Sequence, residues 1–321
     1  MDRLLSMAVF VTAIDEGSIA AAARRFGISA VMAGRYLSSL EQALPARLVQ
    51  RTTRRLSLTD AGQAYHAKCK RILEDLEEAN NEAVDKHASP RGTLRVAAPV
   101  TFAAMYLGPV VARYMQEFPA VRVEMQLQDR FVDLVEEGLD LALRIGRLPD
   151  SDLVVRRLAG CRLMACATPA YLRRAGTPRT PQELEAHARI GYLGDVSTPP
   201  WMFGAPGSAP VQLSRACRVE ANNTSMMLEL ALAGLGVAYA PGFVFANHLA
   251  RGELVQVLPG FDSPELPLHA VTSTAKHVPW KARLLIERLA TAFEGTPPWE
   301  QWRGTAGAGR KRRAPSSSAA E

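Results

Sequence analysis

Two short helices separated by a three-residue turn fill much of the first sixty positions, and they constrain this chain more than anything after them. Val9, Phe10, Ala13 and Ile14 recur at helical intervals, and Glu16-Gly17 ends that first helix. Ser18 then offers a hydroxyl to the free amides of the next one, which runs through Ile19-Ala20-Ala21-Ala22-Ala23 to Phe26. Gly27-Ile28-Ser29 makes the turn, with Ser29 as the second cap. Ala30 to Ala43 forms a further helix whose buried stripe is Ala33, Leu37 and Leu40. Val31, Met32, Gly34, Arg35, Tyr36, Ser38 and Ser39 are left on its other faces. The run Arg51-Thr52-Thr53-Arg54-Arg55 closes the segment with cations. This order of parts is a winged helix-turn-helix, which lays one helix in a DNA major groove and hangs a basic wing beside it. Arg35 can read guanine or a phosphate, and Tyr36 suits a phosphate or a thymine methyl. The competing reading is a plain three-helix packing unit with solvated arginines.

Charge supports the first reading. The formal net charge of +6 is uneven: residues 1–60 hold eight Arg against five Asp and Glu, and residues 303–321 hold five basic residues against one Glu. Cations gathered at both ends point to a polyanionic partner, double-stranded DNA. A chain of 321 residues implies two or three domains. It has no apolar run long enough to span a membrane and no signal peptide, so a cytoplasmic protein is expected. Cys69, Cys161, Cys166 and Cys217 show no metal-ligand spacing. The six histidines (His66, His87, His187, His248, His269 and His277) stand apart from any hydrolase, zincin or phosphate-loop motif. The sequence therefore implies no metal, no cofactor and no enzymatic activity.

From Thr59 to His87 the chain has one Gly and no Pro, and Tyr65, Cys69, Ile72, Leu76, Ala79 and Ala83 follow at alternating steps of four and three. That is a heptad seam, expected to pair with a second copy and set the separation of two DNA readers on a two-fold symmetric operator. The alternative is an amphipathic helix lying on its own domain. Cys69 reads as a small core residue, with redox sensing as the other option. Ser89-Pro90-Arg91-Gly92 breaks the helix.

Beyond it strands and helices alternate. Thr93–Ala98 reads as a strand, 107–118 as a helix with Pro109 in its first turn, and 121–127 as a strand. Asp133-Leu134-Val135-Glu136 reads as a short helix, and 139–145 and 162–168 as strands. This is βαβαβ architecture with a parallel sheet. Thr180-Pro181-Gln182-Glu183 has the form of a capping box, and Asn222-Asn223-Thr224 opens a helix that stops at Gly234. Ligands of open α/β sheets bind beyond the carboxyl ends of the strands. That rule nominates Pro99, Val100, Thr101, Phe102, Arg144, Ile145, Gly146, Arg147, Asn222, Asn223, Thr224 and Pro241. Thr101 and Asn223 lie near helix N-termini that favour an anion. Arg144 can pair with a carboxylate, and Phe102 or Phe203 can flank an aromatic body. The expected effector is therefore a small anionic or aromatic molecule.

Several of these stretches together resemble the LysR-type transcriptional regulators over residues 1–295. They are Gly17-Ser18 with Ala21-Ala22-Ala23, Leu40-Glu41, Arg51 through Gly62, Pro90 through Val96, Asp133 through Gly138, Asp140-Leu141-Ala142, Pro169-Ala170-Tyr171-Leu172 and Ala233 through Val237. The resemblance implies an α/β protein of three parts. An all-α winged helix-turn-helix (1–59) comes first, with 30–43 as recognition helix and 51–58 as wing. A long dimerisation helix (60–89) follows. The third part is a two-lobed α/β effector domain (90–295) like periplasmic solute-binding proteins, with lobe I at 90–161 and 268–295 and lobe II at 162–267. Residues 296–321 are expected to be a disordered basic tail. The resemblance further implies effector in the interlobe cleft, dimers and tetramers, and contact with RNA polymerase. Within the cleft Thr101 and Asn222 serve equally well as helix caps, and Arg144 as a lobe–lobe ion pair. Three positions depart from the family's pattern: Gly34 stands where it has Ser, Leu44-Pro45 where it has Leu-Gly, and Val49 where it has Phe. These leave a second reading open, a cytoplasmic small-molecule-binding protein with impaired sequence-specific DNA recognition.

Overall fold

The computed structural model describes residues 2–51, 56–84, 89–148, 153–194, 200–205, 209–214, 216–273 and 278–302. It divides into two compact units, Met1–Gly92 and Thr93–Glu321.

In the first unit α1 (Arg3–Asp15) begins at Asp2, whose carboxylate accepts from the Leu4 and Leu5 amides, and ends before Gly17 at φ +73°. The next two helices, α2 (Ile19–Arg25) and α3 (Ala30–Ala43), begin at Ser18 and Ser29. Each serine hydroxyl accepts a first-turn amide, Ala21 at 3.0 Å and Met32 at 3.2 Å, and caps of this kind contribute about 1 kcal/mol each. Phe10, Leu37, Leu40 and Leu48 share one core with Met7, Val11 and Val49. The wing is a hairpin of β1 (Val49–Arg51) and β2 (Leu56–Leu58), antiparallel with Gln50 opposite Ser57. Thr52, Thr53, Arg54 and Arg55, together with the Arg51 side chain, lie outside the described residues.

The long helix α4 (Asp60–Val84) starts where the Thr59 hydroxyl accepts from Gly62 N–H at 2.9 Å. Gly62 leaves no room for a side chain, because a Cβ there would stand 1.8 Å from the Leu48 carbonyl oxygen. The predicted heptad seam splits. Tyr65 and fully buried Cys69 turn into the head and pack with α1, whereas Ile72 and Leu76 are 44% and 38% exposed. The side chains of Ala79 and Ala83 are outside the described residues. Tertiary burial against Phe10 took the first two members of the repeat. Burial also holds the Cys69 thiol above its ordinary range, which fits a core residue and not a redox sensor.

The second unit is built on a nine-stranded sheet. Its strands, introduced in chain order, are β3 (Gly92–Ala98), β4 (Val121–Leu127), β5 (Leu141–Ile145), β6 (Val154–Ala167) and β7 (Arg189–Tyr192). A separate two-stranded ribbon, β8 (Met202–Phe203) and β9 (Val211–Gln212), follows. Then come β10 (Val219–Ala221), β11 (Val237–Pro241), β12 (Val255–Val257) and β13 (Glu265–Thr272). The order is β10-β7-β11-β6-β13-β5-β3-β4, with β12 also on β6.

The expected parallel pairing is present between β3 and β5, but the sheet as a whole is mixed. β3 with β5 and β7 with both β10 and β11 are parallel, but β13 runs against β5 and β6, and β6 against β11 and β12. The cause is topological: β6 carries the chain out of one half of the sheet and β13 carries it back. β6 pairs with β13 as far as Arg162 and with β11 from Leu163. We call the β13 side lobe I and the β11 side lobe II.

Helical boundaries shift as well. The helix expected from 107 begins at Val100, as α5 (Val100–Phe102), a π-helical turn over Ala103–Leu107 and α6 (Gly108–Glu117). Pro109 supplies no amide and its ring crowds the preceding turn; the wider turn, closed by Gly108 N–H on the Ala103 carbonyl, accommodates it. The segment around Asp133 is a turn instead of a helix, because the Asp133 carboxylate takes the Val135 and Glu136 amides. The remaining helices are α7 (Pro169–Ala175), α8 (Thr224–Leu232), α9 (Ala246–Ala250) and α10 (Trp280–Ala292). The tail predicted from 296 is corrected at its beginning: Pro298–Glu300 forms a 3₁₀ turn and Trp299 is buried in the core. Residues 303–321 lie outside the described residues.

Candidate functional sites: the recognition helix and the interlobe cleft

The helix α3 presents the mixed surface that its spacing predicts. Val31 is 69% exposed, Arg35 is exposed, and Met32, Gly34 and Ser38 are half-buried. Tyr36 is also half-buried, because its ring packs on a small core of Val9, Ala23 and Ala33. Ser18 and Ser29 use their hydroxyls as caps. The residue that ties α3 to the wing is Glu41, whose carboxylate accepts from Leu48 N–H at 2.9 Å and Val49 N–H at 3.2 Å. Glu41 was visible in the sequence only as part of a motif; its role depends on amides seven and eight residues away.

In the second unit the chain brings two helix N-termini together across the lobes. α5 lies in lobe I, and α8, capped by Asn223 through the Ser225 and Met226 amides, lies in lobe II. Thr101, only 4% exposed, accepts from the Thr224 hydroxyl at 2.8 Å and shares a 2.7 Å hydrogen bond with Ser225. Either hydroxyl of the Thr101–Ser225 pair can be the donor. Beside this pair stands Asp129, at the end of β4. Its carboxylate accepts from Val100 N–H at 3.1 Å and from the Asn223 side-chain amide at 2.8 Å. Val100, Thr101, Asn223 and Thr224 thus come together as a polar ring, and Asp129 and Ser225 join them without any local signal in the sequence. An internal carboxylate occupies the place where free first-turn amides would attract an anion.

Other predicted positions stand elsewhere. Phe102 is fully buried among Tyr106, Phe243, Phe293 and Trp299, with centroids 5.4–5.8 Å away, so it belongs to the core and flanks no ligand. Phe203 is likewise buried against Tyr239 in the core of lobe II. Arg144, 7% exposed, donates to the Val132 carbonyl and lies 5.1 Å from the Phe131 ring. It pins the 131–133 loop and makes no lobe–lobe ion pair among the described residues; desolvation lowers its pKa, opposed by the Asp133 charge. Pro99 precedes α5 at the N-cap position, and Ile145 packs against the main core. Gly146 (φ +113°) donates to the Pro267 carbonyl. Asn222 is exposed, and Pro241 ends β11.

Two family descriptions match this arrangement in order: "Bacterial regulatory helix-turn-helix protein, lysR family" over residues 4–63 and "LysR substrate binding domain" over residues 87–294. The chain belongs to the LysR family of transcriptional regulators. Among its LysR-type relatives is the regulator PtxR of Pseudomonas aeruginosa, 37% identical over 283 residues, 87% of this chain and 89% of PtxR. An HTH-type transcriptional regulator of Haemophilus influenzae is 34% identical over 281 residues, covering 88% and 97% of the two chains. The solved LysR-type structure of CrgA from Neisseria meningitidis has a TM-score of 0.60 at 29% identity, covering 90% of this chain and 98% of CrgA. The full-length Vibrio cholerae virulence activator AphB matches with a TM-score of 0.56 at 25% identity, covering 89% and 98%. Among the described residues of this LysR-type chain no helix is long and apolar enough to cross a membrane.

Proposed function

We propose that this LysR-type regulator reads a two-fold symmetric operator through α3 and the arginine wing and responds to a small anionic effector in the interlobe cleft. The observation that carries the proposal is the polar ring of Val100, Thr101, Asp129, Asn223, Thr224 and Ser225. Asp129 accepts from Val100 N–H and the Asn223 side-chain amide, and an effector carboxylate takes over these two donors. The buried positions of Phe102 and Phe203 favour an anionic over an aromatic effector. Exposed Ile72 and Leu76 support pairing of α4 with a second copy. Tetramers and contact with RNA polymerase belong to the same proposal.

Gly34 and Pro45 favour a second reading, a small-molecule binder with impaired sequence recognition. Fragmented DNA from the source genome, mixed with the purified chain, separates the two. Enrichment of a few two-fold symmetric sites supports the regulator. DNA held only at low salt, with no site enriched, supports the second reading.

A further inference from the structure

The segment that follows the family-matched region does structural work at the junction of the lobes. The match ends at residue 294, yet Trp299 beyond it is 1% exposed and among the largest fully buried side chains. Its ring contacts come from both lobes: Tyr106 at 5.1 Å, Phe293 at 5.2 Å and Phe102 at 5.5 Å on lobe I, and Phe243 at 6.4 Å on lobe II. Its indole N–H donates to the Gly160 carbonyl at 3.1 Å, on β6 just before that strand changes partner. Tyr106 adds a direct interlobe bond from its hydroxyl to the Phe243 carbonyl at 3.2 Å, and burial pushes that hydroxyl's pKa up to about 12, so it stays a donor. Trp302 packs on the same cluster. Phe102, at the centre, is the next residue after Thr101, whose hydroxyl bridges to α8.

We propose that Pro298–Trp302 is an interlobe strap: Trp299 wedges the base of the lobes and sets their resting closure, so that opening of the cleft requires the indole to shift. A close-packed aromatic cluster has discrete arrangements and deforms little between them. Such a wedge biases which lobe arrangement an unliganded chain adopts, and so sets how much differential affinity an effector must supply. The proposal depends on neither the effector's identity nor the operator.

Hydrogen exchange on the full chain tests it. In Trp299→Ala, the amides of 100–107 and 224–227 should exchange about tenfold faster while those of α1–α3 and of β4 stay unchanged. A disulfide formed between Thr101→Cys and Ser225→Cys, whose parent hydroxyls are 2.7 Å apart, should restore slow exchange at 103–107 in the Trp299→Ala background. A bond across the cleft substitutes for a strap that acts by holding the lobes, but not for a side chain that merely fills the core. Unchanged exchange at 100–107 and 224–227, an even rise throughout both lobes, or failure of the disulfide to restore protection would overturn the proposal. Should Trp299→Ala not fold, Trp299→Phe keeps the ring and deletes the bond to Gly160. A smaller rise confined to the same amides then supports the strap, and no rise rejects it.

Discussion

Gly34 lies on α3 with nothing within 4 Å of where a Cβ would stand. A side chain is therefore free to enter, and the helix gains about 0.5 kcal/mol when Gly is replaced by Ser, judged by intrinsic propensities. Gly34→Ser should raise the thermal midpoint of the head slightly and tighten DNA retention by adding a hydroxyl on the exposed side of the helix. A gel-shift titration at two salt concentrations checks this, and unchanged retention by the Ser variant would place this face of α3 away from the phosphates. Pro45 poses the opposite problem. It stands just past the C-cap Leu44, where a proline cannot continue the helix and stiffens the approach to the wing.

The linker helix α4 shows how tertiary contacts divide a local pattern. Its heptad repeat is legible in the sequence, but which members face inward is not. Tyr65 and Cys69 pack with Phe10, fifty-five or more positions away, while Ile72 and Leu76 stay exposed. Changing both exposed residues to Asp should leave the head folded and convert the protein towards monomer in sedimentation equilibrium. A dimer that survives the double change would remove this stretch from the pairing face. The same distinction runs through the fold. Capped helices were legible because Ser18, Ser29 and Asn223 act on amides two or three residues away. The polar ring was half legible: Thr101 and Asn223 announce themselves as helix starts, but Asp129 meets Asn223 across ninety-four positions. Phe102 looked like a pocket wall because Phe243, Phe293 and Trp299, which make it core, lie far along the chain.

If the effector acts in the interlobe cleft of a dimer, its signal has to pass from there to two DNA readers. Binding energy alone does not pass it; the effector must favour one arrangement of the lobes over the other. Hydrogen bonds join the two lobes at the polar ring. Asp129 joins Val100 to Asn223, and Thr101 joins Thr224 and Ser225. Asp129→Ala deletes two of these bonds and frees a first-turn amide together with the Asn223 amide, which leaves the cleft poised to open without ligand. If lobe placement sets the separation of the readers, this variant should still retain DNA but protect a stretch changed in length, with half-sites moving by up to about one helical turn. Nuclease footprinting of wild type and variant on the same enriched fragment measures this directly. Saturating formate or acetate should then draw the variant's footprint back towards wild type by refilling the vacated carboxylate position. An unchanged footprint in a folded Asp129→Ala protein would mean that the polar ring closes the cleft without reaching the DNA.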